Sequence, residues 1–302
     1  NKGFTEQIID LIKSAKRNIP LLITSSIHAD KDNAYGKSKK AAEDALFTYA
    51  RETGNKVYIY RLPNVFGKWC RPNYNSAVAT FCYNIARDLP IQVNNPEYML
   101  PLVYIDDILD EMKRALNGQT ITKDDGFCYV PVTYQIKLQD LVNMIYSFKE
   151  SRKNLFIPNM SNELEKKMYS TYLSYLPKDE FKYLLKMNID HRGSFTEFIK
   201  TINNGQVSVN ISKPGIVKGN HWHHTKNEKF LVVYGTALIQ FRNINEDEVI
   251  DYYVSGDKLE VVDIPTGYTH NIINVGETDL VTIMWANECF DSNNPDTKYE
   301  EV

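Results

Sequence analysis

Hydrophobic positions follow two different rhythms along this chain. In the first half, Phe4, Ile8, Leu11 and Ile12 fall at helical spacing within residues 4–17. After Pro20, Leu21-Leu22-Ile23 forms a short apolar run ending in Thr24-Ser25-Ser26, which predicts a buried strand. Asp32 and Asn33 suit a turn. Ser38 to Tyr49, rich in Ala, Lys and Glu, predicts a helix closed at Asn55. Val57-Tyr58-Ile59-Tyr60 is β-branched and aromatic, hence strand. Residues 76–88 predict helix, 101–105 an extended segment and 107–116 helix. Strands separated by helices imply a parallel sheet with both faces covered.

From 195 to 285 the helical rhythm disappears. Short β-prone runs follow one another at 194–199, 207–211, 230–233, 237–241, 249–254, 259–264 and 280–285, punctuated by Gly, Asn, Asp and Pro. That spacing predicts a sandwich or barrel. The expected organisation is an α/β domain over 1–150, a helical linking region over 151–186 and an all-β domain over 187–302. No repeat with a period of 20–50 residues is visible.

Composition narrows the classes. Of 302 residues, 43% are hydrophobic and 24% charged, which excludes a disordered or collagenous chain. The net charge of −3 argues against a nucleic-acid binder. Polar residues interrupt every apolar run short of a membrane span, and no signal peptide is evident. Cys70, Cys82, Cys128 and Cys289 form no CxxC pair, so reduced thiols in the cytoplasm are expected.

Five of the six histidines follow residue 190. His221 and His223 are two apart and share one face if they lie on a strand. Glu228 precedes an apolar run, and His270 follows Pro265-Thr266-Gly267-Tyr268. If a barrel lays the two stretches side by side, three imidazoles and a carboxylate converge. That set suits Zn, Fe, Ni, Co or Mn. His224 is open to three roles: surface, local hydrogen bonding, or service to the site from a bend. The series Gly219, His221, His223, Glu228, Gly235, Pro265, Gly267, His270, Asn274 resembles both halves of the cupin signature.

Asp190, Arg192, Gly193, Phe195, Glu197 and Phe198 resemble the DxRGxFxEF segment of sugar-nucleotide 3-epimerases of the RmlC-like cupin group. The resemblance implies that Arg192 holds nucleotide-sugar phosphates, a task suited to a planar fork of donors. Read alone, the segment is a turn with a salt bridge.

In the first domain Tyr35 and Lys39 are four apart and share a helix face, with Ser26 just beyond a strand. A phenol that protonates a carbonyl benefits from a nearby ammonium and a hydroxyl partner. Arg61-Leu62-Pro63-Asn64-Val65-Phe66-Gly67 and Val103-Tyr104-Ile105-Asp106-Asp107 resemble the RxxNxxG and hydrophobic-x-x-D-D segments of the extended short-chain dehydrogenase/reductase family. Local readings stay open beside this: Asn64 and Gly67 as a turn, Asp106 or Asp107 as a helix cap. The resemblance implies a truncated Rossmann-like domain that binds NADPH with Tyr35, Lys39, Pro63 and Asn64. No GxxGxxG turn precedes Ser26, and the chain starts at Asn1 rather than Met. The expectation is that part of the cofactor-binding half is missing, which puts hydride transfer by this polypeptide in doubt.

The order of the two domains is similar to that of a family of bifunctional capsular polysaccharide synthesis enzymes. The resemblance implies a pathway to UDP-N-acetyl-L-fucosamine. A cupin epimerises C3 of a UDP-linked 4-keto-6-deoxy amino sugar, and the reductase then reduces C4 with NADPH. His221, His223, Glu228 and His270 would hold the metal, with Zn expected. His224 and Tyr268 are candidates for the epimerase acid and base, and Arg192 and Lys218 for substrate binding. Four protein ligands can also close a purely structural metal site. An Fe-dependent cupin dioxygenase and a non-catalytic nucleotide-sugar scaffold are the alternatives. A homodimer is expected. For the Tyr-rich stretch Tyr169 to Tyr175, dimer contact and internal helix packing are both open.

Overall fold

Residues 2–302 are described by a computed structural model. The chain divides into two compact units. The first is the chain up to Ser147 together with Ser161–Lys178; the second is Phe148–Met160 and Asp179–Val302.

The first unit begins with helix α1 (Lys2–Ser14), strand β1 (Leu21–Ser26), helix α2 (Ala34–Thr53) and strand β2 (Val57–Leu62). β1 and β2 pair in parallel, Leu21 against Val57 through Ser26 against Leu62. Buried Ile9, Leu46, Tyr49 and Ile59 tie these elements together. α2 starts four residues earlier than the sequence suggests. Asn33 caps it by accepting from the Gly36 N–H at 2.8 Å, so Tyr35 and Lys39 both lie inside the helix. Gly54, in the left-handed region at φ 71°, ends it.

Pro63 separates β2 from β3 (Asn64–Phe66), as expected of a residue that cannot donate to a ladder. Helix α3 (Ala77–Ala86), strand β4 (Met99–Tyr104), helix α4 (Ile105–Leu116), strand β5 (Tyr134–Lys137), helix α5 (Leu138–Asn154) and helix α6 (Glu163–Leu173) follow. β3 runs parallel to β4, and β5 antiparallel to it. The sheet is therefore in two pieces, and partly antiparallel rather than wholly parallel.

Two local readings are corrected here. Asn64 opens β3 and donates to the Pro101 carbonyl at 3.0 Å, so it forms no turn. Neither Asp106 nor Asp107 caps α4; Tyr104 holds the cap position without a side-chain bond. The carboxylates lie in the first turn and pair with Lys68 at 3.0 Å and Lys167 at 2.8 Å. Tyr172 and Tyr175 are buried, and the Tyr175 hydroxyl donates to the Cys70 carbonyl at 2.6 Å. Internal packing is the use made of those two aromatics.

The second unit is built from β6 (Asn188–Asp190), β7 (Gly193–Lys200), β8 (Gln206–Ser212), β9 (Val217–Trp222), β10 (Glu228–Tyr234), β11 (Thr236–Asn243), β12 (Val249–Ser255), β13 (Val261–Ile264), β14 (Tyr268–Asn274), β15 (Leu280–Ala286) and β16 (Lys298–Tyr299). One sheet has the order β13-β10-β15-β8-β7-β6 and the other β12-β11-β14-β9-β16. Phe230, Val232, Ile239, Phe241, Ile264 and Ile272 form the apolar core of this unit. Each such side chain stabilises the fold by about 1.5–3 kcal/mol relative to exposure. β8 reverses the usual pattern. Its buried face is Gln206, Ser208, Asn210 and Ser212, while Val207, Val209 and Ile211 are only half-buried. Asn210 lines a cavity, which explains why a polar stripe is turned inward.

Candidate metal centre and reductase site

β14 carries His270 beside the core, and β9 runs antiparallel to it with His221 directly opposite His270. Between His221 and Gly219 the register slips by one residue. This bulge turns on Gly219, whose φ is 112°; a Cβ there would come within 2.7 Å of the His270 carbonyl oxygen. Gly219→Ala is expected to force β9 off β14 and to destabilise the unit by more than about 1 kcal/mol. A lower denaturant midpoint with unchanged slope would report it.

His223 lies one residue beyond β9, and Glu228 opens β10. One ligand atom from each of His221, His223, Glu228 and His270 falls within 4.8 Å of all the others. His223 and His270 are only 2% and 1% exposed. Their Nε2 atoms stand 3.5 and 3.4 Å from Glu228 Oε2 and make no hydrogen bond. Two buried imidazole nitrogens without hydrogen bonds, facing a carboxylate, fit a divalent metal. Burial, together with repulsion from His270 and His223, pushes His221 down to about 4, so its ring is neutral and ready to ligate. Burial works to raise the Glu228 carboxyl, but His223, His270 and Lys226 outweigh it and hold the group well below the usual range.

His221, Glu228 and His270 stand on the wall of a cavity of about 660 Å³, shared by Arg192, Lys218, Asn210, Phe195 and Phe290. Arg192 makes the salt bridge that its segment suggests. Its Nε and Nη2 donate to Asp190 Oδ2 at 2.9 and 2.6 Å, which holds the Asp190 carboxyl down at about 2. Lys218 Nζ donates to Asn210 Oδ1 at 2.7 Å and to the Ile211 carbonyl at 2.9 Å. Burial lowers its pKa; Asp190 opposes that change and Arg192 adds to it.

The two acid–base candidates fall elsewhere. His224 is exposed and packs edge-on against Trp222, with ring centroids 4.6 Å apart. Tyr268 packs on the apolar core and lines a separate depression with Phe241, Tyr252 and Pro265. Neither lines the cavity of the histidine cluster. Both lie within two residues of a ligand, but His224 comes after β9 has ended, and Tyr268, at the start of β14, packs against the apolar core instead of the cavity. Sequence reasoning also missed Lys226, whose Nζ lies 3.1 Å from Glu228 Oε1.

In the first unit, Lys39 Nζ sits 5.9 Å from the Tyr35 ring centroid and donates to the Thr24 carbonyl at 3.0 Å. Tyr35 is 52% exposed, so its phenol is open to a ligand. Ser26 ends β1, and its hydroxyl accepts from the His28 N–H at 3.1 Å. Pro63 and Asn64 follow β2, the strand paired with β1. These groups fit the reacting end of a nicotinamide cofactor. A glycine-rich cradle for its pyrophosphate is not among the residues of this unit. Among the described residues no helix is long and apolar enough to cross a membrane.

Comparison with known proteins adds context to both sites. Residues 15–125 match the NAD dependent epimerase/dehydratase family, and residues 188–298 match the polysaccharide biosynthesis C-terminal domain. The chain is 47% identical over 297 residues to UDP-2-acetamido-2,6-beta-L-arabino-hexul-4-ose reductase of Pseudomonas aeruginosa, spanning 98% of this chain and 79% of the relative. It is 30% identical over 127 residues to the spore coat polysaccharide biosynthesis protein SpsL of Bacillus subtilis, spanning 39% of this chain and 83% of that protein. Among solved structures, it is similar to the capsular polysaccharide assembling protein CapF from Staphylococcus aureus. That match has a TM-score of 0.94 and 58% identity, and covers 99% of this chain and 81% of the other.

Proposed function

This chain belongs to the family of the capsular polysaccharide assembling protein CapF, and from that premise we propose that it performs two consecutive reactions on one UDP-linked sugar. The cupin-like unit epimerises C3 of a 4-keto-6-deoxy N-acetylhexosamine. The reductase-like unit then reduces the C4 ketone with NADPH. The observation that carries the reading is a single cavity wall bearing Arg192, Lys218 and the His221–Glu228–His270 cluster.

The chemistry follows from the ketone. A C3 proton beside it is acidic, and its removal leaves an enolate whose negative charge must be stabilised. Reprotonation on the opposite face inverts the centre. Arg192 presents a planar fork for the diphosphate. Lys218 is a titratable group on the cavity wall, outside the histidine cluster, that can hold or give a proton near the sugar. A divalent metal on His221, His223, Glu228 and His270, Zn being the best match to that donor set, would supply fixed positive charge beside the ketone when bound. In the reduction, a nicotinamide cofactor held near Tyr35, Lys39, Pro63 and Asn64 would supply the hydride, and the Tyr35 phenol gives its proton to the C4 oxygen. Lys39 supplies positive charge beside the phenol.

Mass spectrometry of the keto-sugar in deuterated water tests the sequence of steps. We expect one deuterium before NADPH is added, and a reduced, deuterated alcohol afterwards. Reduction without any deuterium would overturn the order. The phosphate role of Arg192 is tested separately. Arg192→Ala removes charged hydrogen bonds worth about 1.5–3 kcal/mol, so UDP affinity should fall roughly tenfold to a hundredfold by calorimetry. Arg192→Lys should recover only part of that, because an ammonium cannot bind two oxygens as a fork.

A further inference from the structure

Asp296 lies more than seventy residues beyond the histidine motif, in a stretch with no motif of its own. Its Oδ1 accepts from the backbone N–H of His224 at 2.9 Å. Its Oδ2 accepts from the N–H groups of Thr225 and Lys226 at 2.7 and 2.9 Å, and from Thr225 Oγ1 at 3.1 Å. One carboxylate thus holds three successive backbone donors of the short loop between His223 and Glu228. Asn287 holds the far end of the same loop: its Oδ1 accepts from the Asn227 N–H at 3.1 Å and its Nδ2 donates to the Thr225 carbonyl at 3.3 Å, so the donors next to His223 are left to Asp296.

The backbone of the same residue does something different. The Asp296 carbonyl oxygen contacts His223 Nδ1. A carbonyl only accepts, so Nδ1 must carry the proton. That leaves the lone pair on Nε2, the buried nitrogen that faces Glu228 without a hydrogen bond. His270 Nδ1 makes a longer contact of the same type, 3.4 Å to the Tyr268 carbonyl. Beyond Asp296 the chain continues alongside the site. Lys298 and Tyr299 pair with Trp222 and His221, and the Glu300 N–H donates to the Asn220 carbonyl at 3.1 Å.

We infer that Asp296 is a positioning residue for the metal ligand His223: its carboxylate fixes the 224–226 loop and thereby sets its own carbonyl where it selects the Nδ1–H tautomer. The inference rests on reading the four-residue cluster as a metal site. Outer partners of ligating histidines fix ring orientation and tautomer, and losing one typically costs 10–100-fold in metal affinity.

The test uses the full chain with Asp296→Ala and Asp296→Asn, each checked for folding by circular dichroism. Competition with a chromophoric chelator for Zn(II) should show affinity falling about 10–100-fold in D296A. D296N keeps one oxygen in place of Oδ2 and should lose less; it carries the test if D296A does not fold. In metal-free protein, long-range proton–nitrogen NMR should find His223 as the Nδ1–H tautomer in the parent chain and as a tautomer mixture in the variant. If the variants match the parent within twofold in affinity and show the same tautomer, the inference falls and the metal reading stands. If the parent chain takes up no Zn(II), Co(II), Fe(II) or Mn(II), the metal reading falls and the inference with it.

Discussion

Replacing His270 with alanine should abolish metal retention and C3 exchange together. His270 is 1% exposed, stands opposite His221 in the ladder and has its Nε2 aimed at Glu228. Alanine removes one donor of four and leaves a void next to Phe230 and Phe241, whose rings flank the imidazole at 6.0 and 6.4 Å. Loss of a ligand costs at least as much as loss of an outer partner, so metal affinity should fall by more than about 100-fold. Chelator competition reads that number. The same variant separates two roles for the metal. If the ion acts on the enolate, folded H270A exchanges C3 at a rate near background. If the ion only braces the barrel, H270A melts at a lower temperature, yet its folded fraction still exchanges at the parent rate.

The second large effect is expected at Tyr35. Tyr35→Phe removes only the phenolic oxygen, on a helix face that Asn33 caps and Lys39 shares. General acid catalysis typically contributes 10²–10⁴-fold, so NADPH-dependent reduction should fall by about that factor. Deuterium uptake at C3 should not change, because it belongs to the other unit. NADPH oxidation followed at 340 nm, beside NMR of the same sample, checks both halves at once. A Y35F chain that reduces the ketone at the parent rate would remove Tyr35 from the reaction. Lys39→Met should weaken reduction in the same sense, since Lys39 is the ammonium next to the ring.

The apolar rhythm carried most of the architecture. The alternating helices and strands of the first unit and the β-runs of the second fall close to their observed places, because each buries one face against a core. The two strands that hold the histidines were much harder to read. β9, Val217–Trp222, contains Lys, Gly, Asn and His, and β14 puts Thr269, His270 and Asn271 at buried positions. A strand whose inward side chains build a site has no apolar stripe, so periodicity passes over it. β8 shows the same effect, with Gln206, Ser208, Asn210 and Ser212 inside. The spacing of His221, His223, Glu228 and His270 was legible as a motif. Its chemical surroundings were not. Asp296 reaches the loop through tertiary folding alone, and His224, past the end of β9, and Tyr268, packed on the core at the start of β14, lie off the cavity, which nearness in sequence to a ligand cannot convey. In the first unit, the helix start at Ala34 was legible in Asn33 only once that side chain is seen to accept from the Gly36 N–H.

The most direct measurement places the isotope. The UDP-linked 4-keto-6-deoxy sugar is incubated with the folded, Zn-replete chain in deuterated water, with no NADPH present, and its proton spectrum is followed by NMR. The account predicts that the C3 proton signal decays as solvent deuterium replaces it, and that the decay is abolished in H270A. A C3 signal that persists at full intensity in the presence of the parent protein would contradict it.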